Sequence, residues 1–149
     1  MPIKTDNAPV GDAAVLLDTH VAIWLAEGSA RLKPAKLSRI ESAFHSGNLC
    51  MSPISAWEIG MLVRKKRLDL GQHPLGWFAA FVQQFSINVL EITAEIAINS
   101  SYLPGKFQGD PADRILVATA LAHAAELVSA DKEIISYGKR GLVQIFEIS

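Results

Sequence analysis

Short apolar runs recur along this chain, each too short to be anything but a strand or a helix fragment, and most are followed by a longer segment of helical period. The runs are "AVLLD" (14–18), "NLCMS" (48–52), "INVLEI" (87–92), "ELVSA" (126–130) and "LVQIFEI" (142–148). Helices are expected over 20–27, 34–46, 55–67, 75–85, 93–102 and 111–124. Strand-then-helix alternation calls for an α/β fold, with a mostly parallel sheet covered by helices on both faces. Strands buried on both sides read as unbroken apolar runs, and Ala13 to Leu17 is one. At 149 residues the chain is long enough for one domain that buries about two thirds of its unfolded surface. The polar stretch "MPIKTDNAPVGD" (1–12) lacks the apolar core of a signal peptide and is expected to be a flexible leader, with a single domain over 13–149.

Composition narrows the function classes. Half the residues are hydrophobic and 19% are charged, which excludes a disordered chain. No apolar run reaches the roughly 20 residues of a membrane span. The lone cysteine, Cys50, excludes an internal disulfide and suits a cytoplasmic protein. A net charge of −1 gives no molecule-wide field for a polyanion, so any nucleic-acid contact must come from a local patch. "RKKR" (64–67) is one candidate. Its other reading is the solvated end of a helix, with cations at the negative pole of the dipole.

The chemistry centres on acids at strand ends and helix starts. Asp18 closes the first run, where a helix N-cap is the ordinary explanation. In "SPISAWEIGMLVRKKRL", Ser55 and Glu58 fit a capping box, but Glu58 also shares a helical face with Ile54, Met61 and Leu62. In "DPADRILVATALAHA", Asp110 is an N-cap, Pro111 takes the first helical position, and Asp113 stands above the apolar stripe of Leu116, Val117 and Ala120. Asp131 follows "LVSA" at a later strand end. In an open parallel sheet these four positions share one edge, where ligands bind. Asp18, Glu58, Asp113 and Asp131 gathered there repel by several kcal/mol at about 4 Å and intermediate dielectric. A Mg²⁺ or Mn²⁺ ion, alone or as a pair, turns that liability into a metal site with carboxylate ligands.

Taken in order, "LLDTH", "SAWEIG", "DPADRILVATA" and "LVSAD" resemble the motifs of PIN-domain ribonucleases, above all the VapC-like toxins of type II toxin–antitoxin modules. The resemblance runs from about 14 to 148. It implies a three-layer α/β/α sandwich and a Mg²⁺- or Mn²⁺-dependent endoribonuclease leaving 5′-phosphate and 3′-hydroxyl ends. It assigns Asp18, Glu58 and Asp113 as core catalytic and metal-binding acids, with Asp131 as the fourth. Asp110 matches an additional acid that is either a cap or a support for the ligands. Thr19 and Ser129 match small hydroxyl residues that flank the site. The resemblance further implies an RNA substrate, a cognate antitoxin partner and a homodimer. The antitoxin has a candidate apolar groove between the early helices, at Trp24, Leu25, Leu32, Leu37 and Ile40, which reads equally as core.

Other residues stay open. His20 can ligate Mn²⁺ or act as a base, or it can simply pack. His45, His73 and His123 have no zinc-like spacing. Trp24 and Trp57 are expected to pack in core or interface; Trp77 is open to either packing or base stacking. Arg114 fits a phosphate contact or an exposed ion pair. The alternative to an enzyme is a metal-binding or receiver-like signalling module. Receivers, however, bring two early acids and a late lysine, whereas here the acids spread over four segments. A haloacid-dehalogenase-like phosphatase wants a second Asp where His20 stands, and no glycine cluster marks a nucleotide loop.

Overall fold

The computed structural model describes residues 5–6 and 14–148. The remainder of the expected leader lies outside the described residues. In chain order the elements are β1 (Thr5–Asp6), β2 (Val15–Leu17), α1 (Thr19–Glu27), α2 (Pro34–His45), β3 (Leu49–Met51), α3 (Pro53–Arg64), α4 (Pro74–Gln84), β4 (Asn88–Leu90), α5 (Ala94–Asn99), α6 (Pro111–His123), β5 (Glu126–Ser129), α7 (Lys132–Lys139) and β6 (Ile145–Glu147). The strands form one sheet in the order β1-β4-β3-β2-β5-β6. Every pairing is parallel. β2 lies inside the sheet, with Val15 opposite Leu49 on one side and Glu126 on the other.

Alternation along the inner strands divides the core in two. Val15, Leu17, Leu49, Met51 and Val128 pack with Val21 of α1, Ile40 of α2, Ile59 of α3 and Phe78 and Phe81 of α4. Leu16, Cys50 and Leu127, one residue out of step, pack with Ile96 of α5, Leu116 and Val117 of α6, and Ile134 and Tyr137 of α7. Each strand thus sends successive side chains to opposite helical layers, which makes the three-layer sandwich. Burying one such leucine contributes about 1.5–3 kcal/mol, so the two half-cores hold the sheet from both faces.

Three expectations are corrected. α3 begins at Pro53 under a Ser52 cap whose hydroxyl accepts from the Ile54 N–H, so Ser55 is not its N-cap. Proline at the first helical position favours that earlier start. α3 also stops at Arg64, leaving Lys65 to Arg67 beyond it and "RKKR" exposed. α7 was not among the expected helices; its eight residues bury only Ile134 and Tyr137, too short a stripe to read. Of the two readings of the early helices, the core one holds for most of the residues: Leu32 and Ile40 are buried in the first half-core, with Trp24, Leu25 and Leu37 packed against it. Among the described residues no helix is long and apolar enough to cross a membrane.

Candidate active site

Because the strands are parallel, their carboxyl ends and the starts of the following helices meet at one edge of the sheet. Asp18 leaves β2 there and caps α1, while Asp131 follows β5 and caps α7. Glu58 comes from the second turn of α3, and Asp113 from the first turn of α6 under its Asp110 cap. A cleft of about 200 Å³ is lined by Asp18, Glu58, Asp110, Asp113 and Asp131, together with His20 and Trp24. The structure therefore brings all four expected acids to one place.

Asp18 is held hardest. It is only 6% exposed. One carboxylate oxygen accepts from the Thr19 N–H at 2.7 Å, and the other accepts from the Ser129 hydroxyl at 2.6 Å. Ser129 Oγ in turn accepts from the Asp131 N–H at 3.0 Å, so one hydroxyl couples two of the acids. Thr19 supports the next. Its hydroxyl donates to Glu58 Oε1 at 2.5 Å and lies 2.8 Å from Ser55 Oγ. With its single proton given to Glu58, the Thr19 oxygen accepts from Ser55. Ser55 is thus a buried link in a relay to Glu58 instead of a cap.

The electrostatics match this crowding. Burial pushes the Asp18 carboxyl up from its ordinary value, against the pull of its Ser129 and Thr19 hydrogen bonds and of His20. Burial likewise raises Glu58, with Asp18 and Asp110 adding to the rise. Asp113 is raised to about 8, by burial first and then by Asp110, Asp131, Asp18 and Glu58. A carboxyl whose affinity for a proton is raised by four other acids sits in a concentrated negative field. No lysine or arginine lines the cleft among the described residues. This donor set fits a hard divalent cation, which takes carboxylate oxygens. Among the described residues no three of these side chains already form a ready-made ligand shell. Asp113 is half-buried and accepts no side-chain hydrogen bond among the described residues.

The loop before α6 sets where Asp113 stands. A Cβ on Gly109 would overlap the Phe107 ring and approach Asp113 Cβ to 2.9 Å, so only glycine lets the loop pass so close. Arg114 meets neither expectation placed on it. It is half-buried, donating to the carbonyls of Ser100 at 2.8 Å and Phe107 at 2.9 Å, and so ties α6 to the loop. Backbone acceptors leave no trace in a residue pattern, and the glycine beside "DPAD" was the one legible hint. His20 is exposed on the cleft wall, with its ring tilted 6.3 Å from that of Trp24. Trp57, expected to pack, is 56% exposed, whereas Trp77 stacks on Phe81.

Residues 15–140 match the PIN domain family. The chain belongs to that family. This PIN domain is 35% identical over 123 residues to "Ribonuclease VapC22" of Mycobacterium tuberculosis, a match covering 83% of this chain and 91% of the relative. Its fold is similar to VapBC2 from Rickettsia felis bound to a promoter DNA fragment, with a TM-score of 0.67 at 15% identity. That match covers 91% of this chain and 99% of the other. A toxin–antitoxin complex from Klebsiella pneumoniae is also similar, with a TM-score of 0.59 at 22% identity over 91% of this chain and 100% of that one.

Proposed function

We propose that this PIN domain is a divalent-cation-dependent endoribonuclease, and the toxin of a pair neutralised by an antitoxin protein. The observation that carries the reading is the cleft where Asp18, Glu58, Asp113 and Asp131 meet with no lysine or arginine among the described residues that line it. The relative described as a ribonuclease supports the RNA substrate, and the neighbours solved as toxin–antitoxin complexes support the partner.

Asp18, Glu58, Asp113 and Asp131 are the residues that hold Mg²⁺ or Mn²⁺. When bound, the ion supplies charge neutralisation at phosphorus and a more acidic water. Asp18 needs no reorganisation to serve, because Ser129 and the Thr19 N–H already fix both of its oxygens. Glu58 is aimed by Thr19 and keeps one oxygen for a ligand or a water. Hydrolysis joins the water oxygen to phosphorus, breaks the P–O3′ bond, and leaves a 5′-phosphate and a 3′-hydroxyl. The water's proton passes to a carboxylate or to solvent, and the departing oxygen gains one from solvent. We further propose a homodimer in the cytoplasm, where the buried Cys50 thiol, donating to the Asn48 carbonyl, stays reduced.

RNA cleavage assayed with Mg²⁺, with Mn²⁺ and with chelator tests the reading. Cleavage that needs the metal and fails in Asp18→Asn and Asp113→Asn is expected; equal cleavage in chelator sinks it. Induction without the antitoxin should arrest bacterial growth, and unimpeded growth would remove the toxin role.

A further inference from the structure

A second polar pocket of about 140 Å³ opens beside the acid cleft. Lys106, Gln108, Glu133, Ser136, Tyr137 and Arg140 line it. Its two walls continue the walls of the cleft. One is the loop that runs through Lys106 and Gln108 to Asp110; the other is α7, which starts at Asp131. Glu133 donates its N–H to Asp131 Oδ1, so the cleft and the pocket meet within one helical turn. Arg140, nine residues past Asp131, lies about 14 Å further along the helix axis.

The pocket is held open by specific contacts. The Tyr137 hydroxyl donates to the Pro104 carbonyl at 2.5 Å, fastening the loop to α7. Arg140 Nη1 donates to the Lys106 carbonyl at 2.6 Å, and its guanidinium lies 5.2 Å over the Tyr137 ring. Gly105, with φ of +67°, is where a side chain would take the space of that guanidinium. Arginine is therefore docked by a backbone carbonyl, an aromatic face and a missing side chain, none of which neutralises its charge. Arg39–Glu126 is the one ion pair among the described residues, so neither Arg140 nor Lys106 has a carboxylate partner there. The remaining guanidinium donors make no hydrogen bond among the described residues. An oriented, unneutralised fork of donors suits a phosphate oxygen pair.

The geometry points to the pocket between the 104–108 loop and α7 as a phosphate-binding subsite for single-stranded RNA flanking the scissile bond, with Arg140 and Lys106 as its cations. This assignment rests on the nuclease reading of the cleft. It also answers how an acidic cleft in a chain of net charge −1 retains a polyanion: attraction comes from one side, a few nucleotides from the acids. Glu133, at the end nearer the cleft, is suited to accept from a 2′-hydroxyl or a base amino group.

The test uses the full chain in an Asp113→Asn background and a 5′-labelled single-stranded RNA oligonucleotide, with binding followed by fluorescence anisotropy over a salt series. Arg140→Ala should weaken binding about tenfold for any sequence and flatten the slope of log Kd against log salt by about 0.7. Arg140→Lys should keep the slope while recovering only part of the affinity. Lys106→Ala, at an exposed side chain that anchors nothing, should flatten the slope as well, which covers the case of Arg140→Ala misfolding. With Asp113 restored, Arg140→Ala should raise KM more than it lowers kcat. Unchanged Kd and slope in both alanine variants overturn the subsite, as does failure of the parent to bind RNA. A loss confined to an acidic peptide probe overturns it too, in favour of a protein-docking role. If the native chain cuts RNA but ignores Arg140, the subsite falls and the nuclease reading stands. If Arg140 governs RNA binding but no divalent metal supports cleavage, the nuclease reading falls and the subsite stands.

Discussion

Asp18 and Asp113 face the same cleft with the same functional group, and the fold treats them oppositely. Asp18 is buried with both oxygens occupied by donors from Thr19 and Ser129. Asp113 is half-buried, has no side-chain donor among the described residues, and is raised to about 8 by burial and four neighbouring acids. The first is a fixed carboxyl whose place is set during folding. The second holds a proton at neutral pH, one that a bound cation would displace on the proposed reading. On that reading, such a site would offer a cation one rigid carboxyl and one adaptable one.

Substitution of either acid sharpens the contrast. Asp18→Asn and Asp113→Asn should each reduce metal-dependent RNA cleavage by about a hundredfold or more, read from multiple-turnover rates. Their stabilities should diverge: Asp18→Asn lowers the urea midpoint by disturbing the hydrogen bonds from Thr19 and Ser129, while Asp113→Asn leaves it unchanged or raises it. Equal losses of stability would erase the distinction.

The pH dependence of the metal-free chain breaks the comparison in another way. Between about 4 and 8 the folded Asp113 keeps a proton that the unfolded chain releases, so stability falls as pH rises through that window and levels above it. Asp18 and Glu58, also raised by burial, act in the same direction. The Asp113 share is discounted to about 1–2 kcal/mol because water reaches the group. Urea unfolding in chelator at pH 5 and pH 8 should show the decline, and Asp113→Asn should flatten it. A rise in stability over that range would contradict the environment described for Asp113.

Smaller effects belong to the supports. Ser129→Ala removes the donor to Asp18 and the acceptor for the Asp131 N–H. It should cost about 1–2 kcal/mol by chemical denaturation and reduce cleavage about tenfold. Thr19→Val preserves shape but frees Glu58, with an expected loss of about 0.5–1 kcal/mol and a few-fold slower cleavage. If Thr19→Val proved the more damaging of the two, Glu58 and not Asp18 would be the rigid acid.

Much of this arrangement was legible in the sequence because it depends on order and period. The unbroken apolar run at β2 announced a strand covered on both faces, and acids placed just after β2 and β5 had to share an edge. The expected boundaries ran long, since residues at the end of an apolar run can pack without pairing, as Leu142 and Val143, the first two of theirs, do before β6. Hydrogen-bond partners were harder. Ser52 and Ser55 are chemically equal candidates for a cap and equally buried, and the proline between them decides the matter. Arg114 spends its charge on backbone carbonyls that carry no side-chain signature. Trp57 sits outward because Glu58, one residue on, turns inward, and composition alone favours burying the indole.

Asp18, Asp110 and Asp131 each begin a helix, accepting from the first free N–H groups of α1, α6 and α7. Architecture and chemistry therefore draw on the same atoms, and a single-atom exchange separates them. Asparagine in these places retains the oxygen that starts the helix while discarding the charge. A lineage that lost its substrate would keep its shape for a long time after going silent, and such a descendant would be recognised by three amides standing where three acids once stood.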